Sequence, residues 1–302
     1  MVGGRGGRGH SVATKGFCIF SPMNITFHTP GGPLKDFVEY IGFLSGYVIG
    51  NGVAFPRSNQ VIIINIGDRF SVSDVFSPAA AKAEVGHTVW INGKQRLPFL
   101  LTNKGETAMY AIGIRLGMLP FVAGLPAIET NDAALSAEHW SAADICFLRE
   151  RLLACTDVQM GFGLIEDHLR KLIGRKDLSA VSKIKWLSEA VPVRRVEDIC
   201  RMLGVSRKKL RSEGQHYFGG PVREIQGIIR FNQTLSMIAR EDARTLSALH
   251  NYYDQSHFIR DFKERAGITP LQYRRLCQQF PAIRHTPNFL PMEQETFLQF
   301  IS

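Results

Sequence analysis

Two short runs of the chain carry side chains able to read the edge of a nucleic-acid base. The first is Arg207-Lys208-Lys209-Leu210-Arg211-Ser212 and the second is Gln255-Ser256-His257-Phe258-Ile259-Arg260. Arg and Lys match guanine O6 and N7, Gln matches adenine, and Ser serves either. Leu210 in the first run, and Phe258 with Phe262 in the second, mark the face that must be buried. The polar residues therefore fall on the opposite side. Cations crowded into the first turn and a half of a helix oppose its macrodipole, an arrangement that makes sense where that end meets phosphates. The competing reading is a solvated basic helix end.

The elements that position these runs are legible around them. In Val196–Leu203, Val196, Ile199, Cys200 and Leu203 share one helical face. Gly204 supplies the left-handed conformation of a tight turn, and Ser206 is a good N-cap for a helix starting at Arg207. Residues 246–251 form a second short helix, Asn251 occupies its turn, and Asp254 caps the helix that carries Phe258 and Phe262. Gly267 ends that helix, and Thr269 with Pro270 starts the next. Both units are helix-turn-helix patterns, in which the N-terminal residues of the second helix enter the major groove.

Charge is distributed in the same sense. The chain has 302 residues, a length that suggests about two domains, and a net charge of +9. Residues 11–190 hold 17 Lys and Arg against 16 Asp and Glu, whereas residues 191–290 hold 17 against 9. A nearly neutral part followed by a basic part is the asymmetry of a chain whose C-terminal half touches a polyanion.

Other chemistries find no constellation. The five cysteines are scattered with no C-x-x-C pair, which argues against a disulfide framework or zinc ribbon and suits a reducing cytosol. Gly4, Gly6 and Gly9 fit G-x-G-x-x-G but have no strand before them and no helix after them. A metal site of the His-x-His type is missing: His28 and His87 are isolated, and Glu84 is the only nearby acid. Cys18 has no basic cluster beyond Lys15 to activate it as a methyl acceptor. His257 reads as a packed, hydrogen-bonded histidine rather than a ligand or base. We expect no enzyme activity, no cofactor and no metal. Residues 1–15 lack an apolar signal-peptide core, and no apolar run reaches the roughly 20 residues a spanning helix needs. The expected setting is therefore soluble and cytoplasmic, with no membrane partner.

Residues 16–120 read as short strands: 37–48, 60–66, 87–91, 97–102 and 107–116. Asn92-Gly93 and Asn103-Lys104-Gly105 are the turn signals between them, and residues 40–56 read as strands and turns. Helical periodicity takes over near Pro120, at residues 138–155, 158–173 and 179–190. Residues 281–302 are a tail able to dock through Phe289, Leu290, Phe297 and Phe300.

The run from Tyr252 to Tyr273, YYDQSHFIRDFKERAGITPLQY, closely resembles the second helix-turn-helix signature of the AraC-type transcriptional regulators. The first unit and the linking helix, with Arg230-Phe231 at its middle, resemble the rest of that domain over residues 190–278. The resemblance implies an all-helical DNA-binding domain. Its two units are joined by one long helix at residues 221–240, and their recognition helices enter successive major grooves. Carried over by position, Lys208, Arg211, Ser212, Gln255, Ser256 and Arg260 face bases, while Ser206, Arg207 and Lys209 contact phosphate. The chain departs from the pattern at Gly214, where the family usually has a buried Phe, at Ser212 in place of Arg, and at Asn251 in place of Gly. Tyr217 or Phe218 is expected to fill the gap at Gly214; otherwise the first recognition helix is short.

Residues 23–156 resemble a poorly characterised N-terminal domain of some AraC-type regulators. The marks are SNQVIIINIGD at residues 58–68, Trp90-Ile91-Asn92-Gly93, and AIGIRLGMLP at residues 111–120. The resemblance implies a cupin-like β-sandwich used for sensing or dimerisation. The expected organisation is α+β: a disordered 1–15, a small β-sandwich or barrel over 16–135, a helical connector over 136–190, an all-α double helix-turn-helix domain over 191–280 and a tail over 281–302. The expected partners are a double-stranded DNA operator, a small-molecule effector and a second copy of the chain.

Overall fold

Two strands that run straight through the expected turns organise the sheet. The computed structural model describes residues 19–20, 24–76, 83–86, 89–132, 134–136, 143–174, 177–240, 255–292 and 294–299. Strands β1 (Ile19–Phe20), β2 (Asn24–His28), β3 (Val38–Ala54), β4 (Gln60–Asn65), β5 (Phe70–Asp74), β6 (Ala83–Val85), β7 (Val89–Asn92), β8 (Phe99–Ile114), β9 (Ala134–Ser136) and β10 (Phe289–Leu290) form one antiparallel sheet. β3 is 17 residues long and β8 is 16. They pair from Val38↔Ile114 to Ala54↔Phe99.

This pairing corrects two sequence expectations. Residues 40–56 hold no turn; β3 continues to Ala54. Asn103-Lys104-Gly105 is not a turn between two strands either, because these residues pair with Gly50, Ile49 and Val48. A local turn preference yields where a partner strand satisfies the backbone groups on both sides of it. Gly105 has a different use: a side chain there would collide with the Asp68 carboxylate, which accepts the Glu106 N–H at 2.7 Å. Asn92-Gly93 is a third correction. β7 pairs with β4 and β9 and makes no hairpin with β8. Gly93 is instead the place where Thr130 packs directly on the backbone.

The other edge of β8 pairs first with β5, at Phe99–Asn103, and then with β4, at Met109–Ile114. Between β4 and β5 the chain stays bonded to β8 through Ile66 and Gly67 to Ala108 and through Asp68 to Glu106. β3 and β8 thus carry both halves of a curved sheet, the N-terminal β-sandwich of an α+β chain whose remainder is helical.

The helices are α1 (Leu119–Ala123), α2 (Ala143–Leu153), α3 (Val158–Gly174), α4 (Val181–Ala190), α5 (Val196–Leu203), α6 (Arg207–Glu213), α7 (Val222–Ala239), α8 (Gln255–Ala266), α9 (Pro270–Gln279) and α10 (Gln294–Gln299). Among the described residues, no helix is long and apolar enough to cross a membrane. One apolar core joins Ile41, Ile62, Ile112 and Ile114 of the sheet to Ile145, Phe162, Ile165 and Leu187 of α2–α4, and continues to Ile199, Leu210 and Ile225. A second joins Val53, Phe55 and Leu100 to Phe231, Phe258, Phe262, Tyr273 and the C-terminal segment.

That segment docks as its aromatic content suggests. β10 adds to the end of β3, with Phe289 opposite Ala54 and Leu290 opposite Val53. The Phe289 ring lies where a side chain on Gly52 would be, a pairing in which an aromatic covers a strand glycine. Phe297 is fully buried and 6.3 Å from Phe55, ring centre to ring centre. Phe300 lies outside the described residues. Truncating a buried Phe costs roughly 3–5 kcal/mol. Phe297→Ala should therefore lower the unfolding free energy by about that amount in a denaturant titration, whereas Glu295→Ala on the exposed side of α10 should leave it within about 0.5 kcal/mol.

Candidate nucleic-acid interface

The first unit forms as its sequence reads. α5 ends at Gly204 with φ 63°, and Ser206 caps α6 by accepting the Lys209 N–H at 3.2 Å. Leu210 is buried in the core that also holds Ile199, Val222 and Ile225. Arg207, Lys208, Lys209, Arg211 and Ser212 are all exposed, as is Ser206. Two of the cations have carboxylate neighbours. Arg207 pairs with Glu197 at 2.9 Å, and Lys209 stands 3.8 Å from Glu213, which Lys183 holds at 2.5 Å. The Arg207–Glu197 pair is largely solvent-exposed on both sides, so it is worth at most about 1 kcal/mol.

Gly214 has no gap beside it. A Cβ there would stand 2.7 Å from the carbonyl oxygen of Gly220, so the backbone itself occupies the space that Tyr217 or Phe218 was expected to fill. α6 is short, seven residues, and widens into a π-type turn, Gly214–Phe218, that closes at Gly219 with φ 76°. Phe218 is buried from that turn, while the Tyr217 ring stacks on Phe121 at 5.7 Å. The glycine thus replaces a side-chain anchor with close backbone contact.

The helix of the second unit is α8. Phe258 and Phe262 are buried, Phe262 lies 5.2 Å from Phe231 of α7, and Gln255, Ser256, Ile259 and Arg260 face outward. His257 is exposed rather than packed: one position before Phe258, it turns away from the buried stripe. The expected helix at residues 246–251, the Asn251 turn and the Asp254 cap lie outside the described residues, as do Cys18 and His87. Behind α8, Gly267 with φ 75° ends the helix, and Thr269 and Gln272 form a reciprocal capping box at 2.7 and 3.3 Å. Gly227 of α7 lets the Arg265 guanidinium lie against that helix. α8 is therefore anchored beside α7 through Phe262, and α6 shares, through Leu210, the core that holds the first half of α7.

The sheet also holds this assembly. Lys94 is buried and donates to Glu224 in the first turn of α7 at 2.8 Å, and Asn131 donates to the Gly219 carbonyl at 2.5 Å. His28 is engaged by Glu166 at 2.8 Å and stacks on Phe162 at 5.2 Å. None of these three ties was visible in the sequence, since each joins residues 88 or more positions apart.

Sequence reasoning also missed a cleft of about 700 Å³ between β3, β4 and α7, lined by Tyr40, Arg57 and Arg230 among others. Nothing around Arg57 in the sequence marks it, because its relation to Arg230 is created by docking α7 on the sheet.

No protein-family model and no curated protein matches the chain. Among solved structures it is similar to apo ToxT from Vibrio cholerae, at 18% identity over 77% of this chain and 97% of that one, with a TM-score of 0.42. It is similar to unsaturated-fatty-acid-bound ToxT at 17% identity, over 77% of this chain and 94% of that one, TM-score 0.41. It is also similar to the vicilin of Solanum melongena, at 11% identity over 51% of this chain and 40% of that one, TM-score 0.20. At these values the functional reading rests on the chain's own geometry.

Placing a side chain at position 214 tests the close backbone contact. Gly214→Phe should destabilise the protein by more than about 2 kcal/mol in a thermal or denaturant melt. Wild-type stability would mean that the Gly220 carbonyl is free to move.

Proposed function

We propose that the chain is a one-component, sequence-specific DNA-binding transcription regulator of the AraC type. The observation that carries this reading is the pair of outward-facing polar helices, α6 and α8, whose undersides are buried in the two cores that share the helix α7. In the proposed mechanism Lys208, Arg211 and Ser212 of α6 and Gln255, Ser256 and Arg260 of α8 meet base edges in successive major grooves. Ser206, Arg207, Lys209 and the amides at the helix starts hold phosphates. Residues 191–280 are the DNA-binding part, residues 16–135 sense a small-molecule effector or dimerise, and residues 136–190 connect them.

Selection of bound duplexes from a random pool tests the whole reading. A protein that enriches no sequence is not this kind of regulator.

If the basic face contacts roughly six to ten phosphates, affinity should fall about 10³–10⁵-fold between about 50 and 200 mM salt. A flat response removes this surface as the DNA face. The two recognition helices can then be separated by substitution. Arg260→Ala should cost about 1–3 kcal/mol and relax preference at one base pair. Lys209→Ala should weaken all sequences alike and reduce the salt slope by about one. Both are read by titrating each variant against a small set of operator mutants. Arg260→Ala binding every sequence as well as the parent overturns the assignment of α8.

A further inference from the structure

Helix α6 is seven residues long and has two buried side chains, Leu210 and Glu213. They stand three positions apart and so share its underside, while Arg207, Lys208, Lys209, Arg211 and Ser212 are exposed. One anchor of this helix is therefore apolar and the other is a carboxylate. A buried carboxylate is costly unless it is paired. Glu213 meets Lys183 of α4 at 2.5 Å, and its second carboxylate oxygen is shielded from solvent with no hydrogen-bond partner. The next cation, Lys209 on α6 itself, stands 3.8 Å away. An apolar residue at position 213 would bury the same underside without that cost, so the charge has to be explained by what it holds.

What it holds is the join between α6 and the N-terminal half. α4 is fixed along its length: Ile184 and Leu187 are fully buried in the first core. Ser188 donates to the Leu116 carbonyl at 2.5 Å, just after β8, and Lys185 reaches Asp36 at 2.6 Å. Gly117 lets Ile184, Ser188 and Phe218 close over the same loop. Lys183 is thus presented from a helix whose position the sheet sets. Leu210 sets how deep α6 lies, since apolar burial is non-directional. A charge-assisted hydrogen bond has a direction, and three residues further on it sets the roll of α6 about its own axis. A roll of about 30° carries a side-chain tip about 3 Å at the rim of a helix roughly 10–12 Å across. That is nearly one base-pair step of about 3.4 Å.

We infer that Glu213 is a positioning residue for operator reading: held by Lys183 of α4, it fixes the roll of α6 and so decides which bases Lys208, Arg211 and Ser212 meet. The inference rests on the regulator reading, because the roll matters only if the outer face of α6 reads DNA. Ion pairs kept for register rather than for stability are the best-attested use of buried charge.

The full chain is compared with Glu213→Leu, Glu213→Gln, Lys183→Met and the Lys183→Met/Glu213→Leu double variant. The measurements are thermal melting, amide hydrogen exchange without DNA, and selection of bound duplexes. Leucine keeps an underside of similar size and removes the tie. Glu213→Leu should therefore melt at or above the parent. Its preference at the base pairs that Arg211→Ala relaxes should nevertheless fall about tenfold, with those that Arg260→Ala relaxes unchanged. A residue that only stabilised the fold would leave both sets intact in a variant of parental stability, and a lost charge alone would weaken all sequences alike. Gln keeps an acceptor for Lys183 and should stay closer to the parent. Lys183→Met strands the carboxylate, so it should speed amide exchange across α6 about tenfold and relax the same base pairs. The double variant should match Glu213→Leu, because the pair acts as a unit.

Unchanged exchange of α6 in Lys183→Met overturns the inference whatever the DNA result. So does a Glu213→Leu protein that folds and selects the parental bases at both sets of positions. Should Glu213→Leu not fold, Lys183→Met carries the same comparison, and parental preference in it overturns the inference. A parent protein that enriches no sequence at all overturns the regulator reading first, and the positioning role with it.

Discussion

The architecture depends on burying α7 at two places along its length. Its first half delivers Val222, Ile225 and Ile228, with Val222 and Ile225 packed into the core that runs back to the sheet and α2–α4. Its second half delivers Phe231, Leu235 and Ile238 to a separate core with Phe55, Phe262 and Phe297. A helix buried over five turns cannot rotate or slide to satisfy one core without unpacking the other, because close-packed interiors resist small displacements. Everything attached to α7 inherits that rigidity, including the polar faces of α6 and α8.

The sheet is the other partner in that constraint. β3 and β8 are long enough that one end packs on the first core and the other, at Val53 and Leu100, on the second. The C-terminal segment closes the arrangement by pairing with β3 and bringing Phe297 and Tyr273 around Phe55. The Tyr273 hydroxyl, donating to the Pro287 carbonyl at 2.7 Å, ties α9 to the same segment. Helices α8 and α9 are therefore packed on the sheet through a shared aromatic cluster.

Charge follows a division of labour. Where a cation is buried for architecture it has a carboxylate, as Lys94 has Glu224 and Lys183 has Glu213. On the outer faces of α6 and α8 it is exposed, and Arg207 is only lightly engaged by Glu197. In the cleft beneath α7 the Nε atoms of the half-buried Arg57 and Arg230 are shielded and have no hydrogen-bond partner. The same charge is held in three ways according to its solvation and neighbours: in an ion pair within the fold, in solvent on an outer helix face, or half-buried at the edge of a cleft.

Much of the C-terminal half was legible in the sequence. Gly204, Ser206, Gly267, Thr269 and Pro270 are local devices whose φ values and caps depend on residues at most a few positions away, and the structure has them where the sequence places them. The i, i+4 spacing of Phe258 and Phe262 likewise set which side of α8 faces outward. The N-terminal half was read less well, for a physical reason. Asn103-Lys104-Gly105 and Asn92-Gly93 carry real turn preferences, but strand pairing is settled by distant partners, Val48 to Gly50 in one case and Thr130 against Gly93 in the other. Gly214 was misread for a different reason: the π-type turn that follows it folds the Gly220 carbonyl, six residues on, into the space expected for a ring. The sequence by itself determined the helical punctuation and the polar faces of α6 and α8. Only the tertiary structure decided the course of β3 and β8 and the cleft that Arg57 and Arg230 both line. Residues 173 positions apart carry no local signature of sharing a cleft, which exists only once α7 is docked on the sheet.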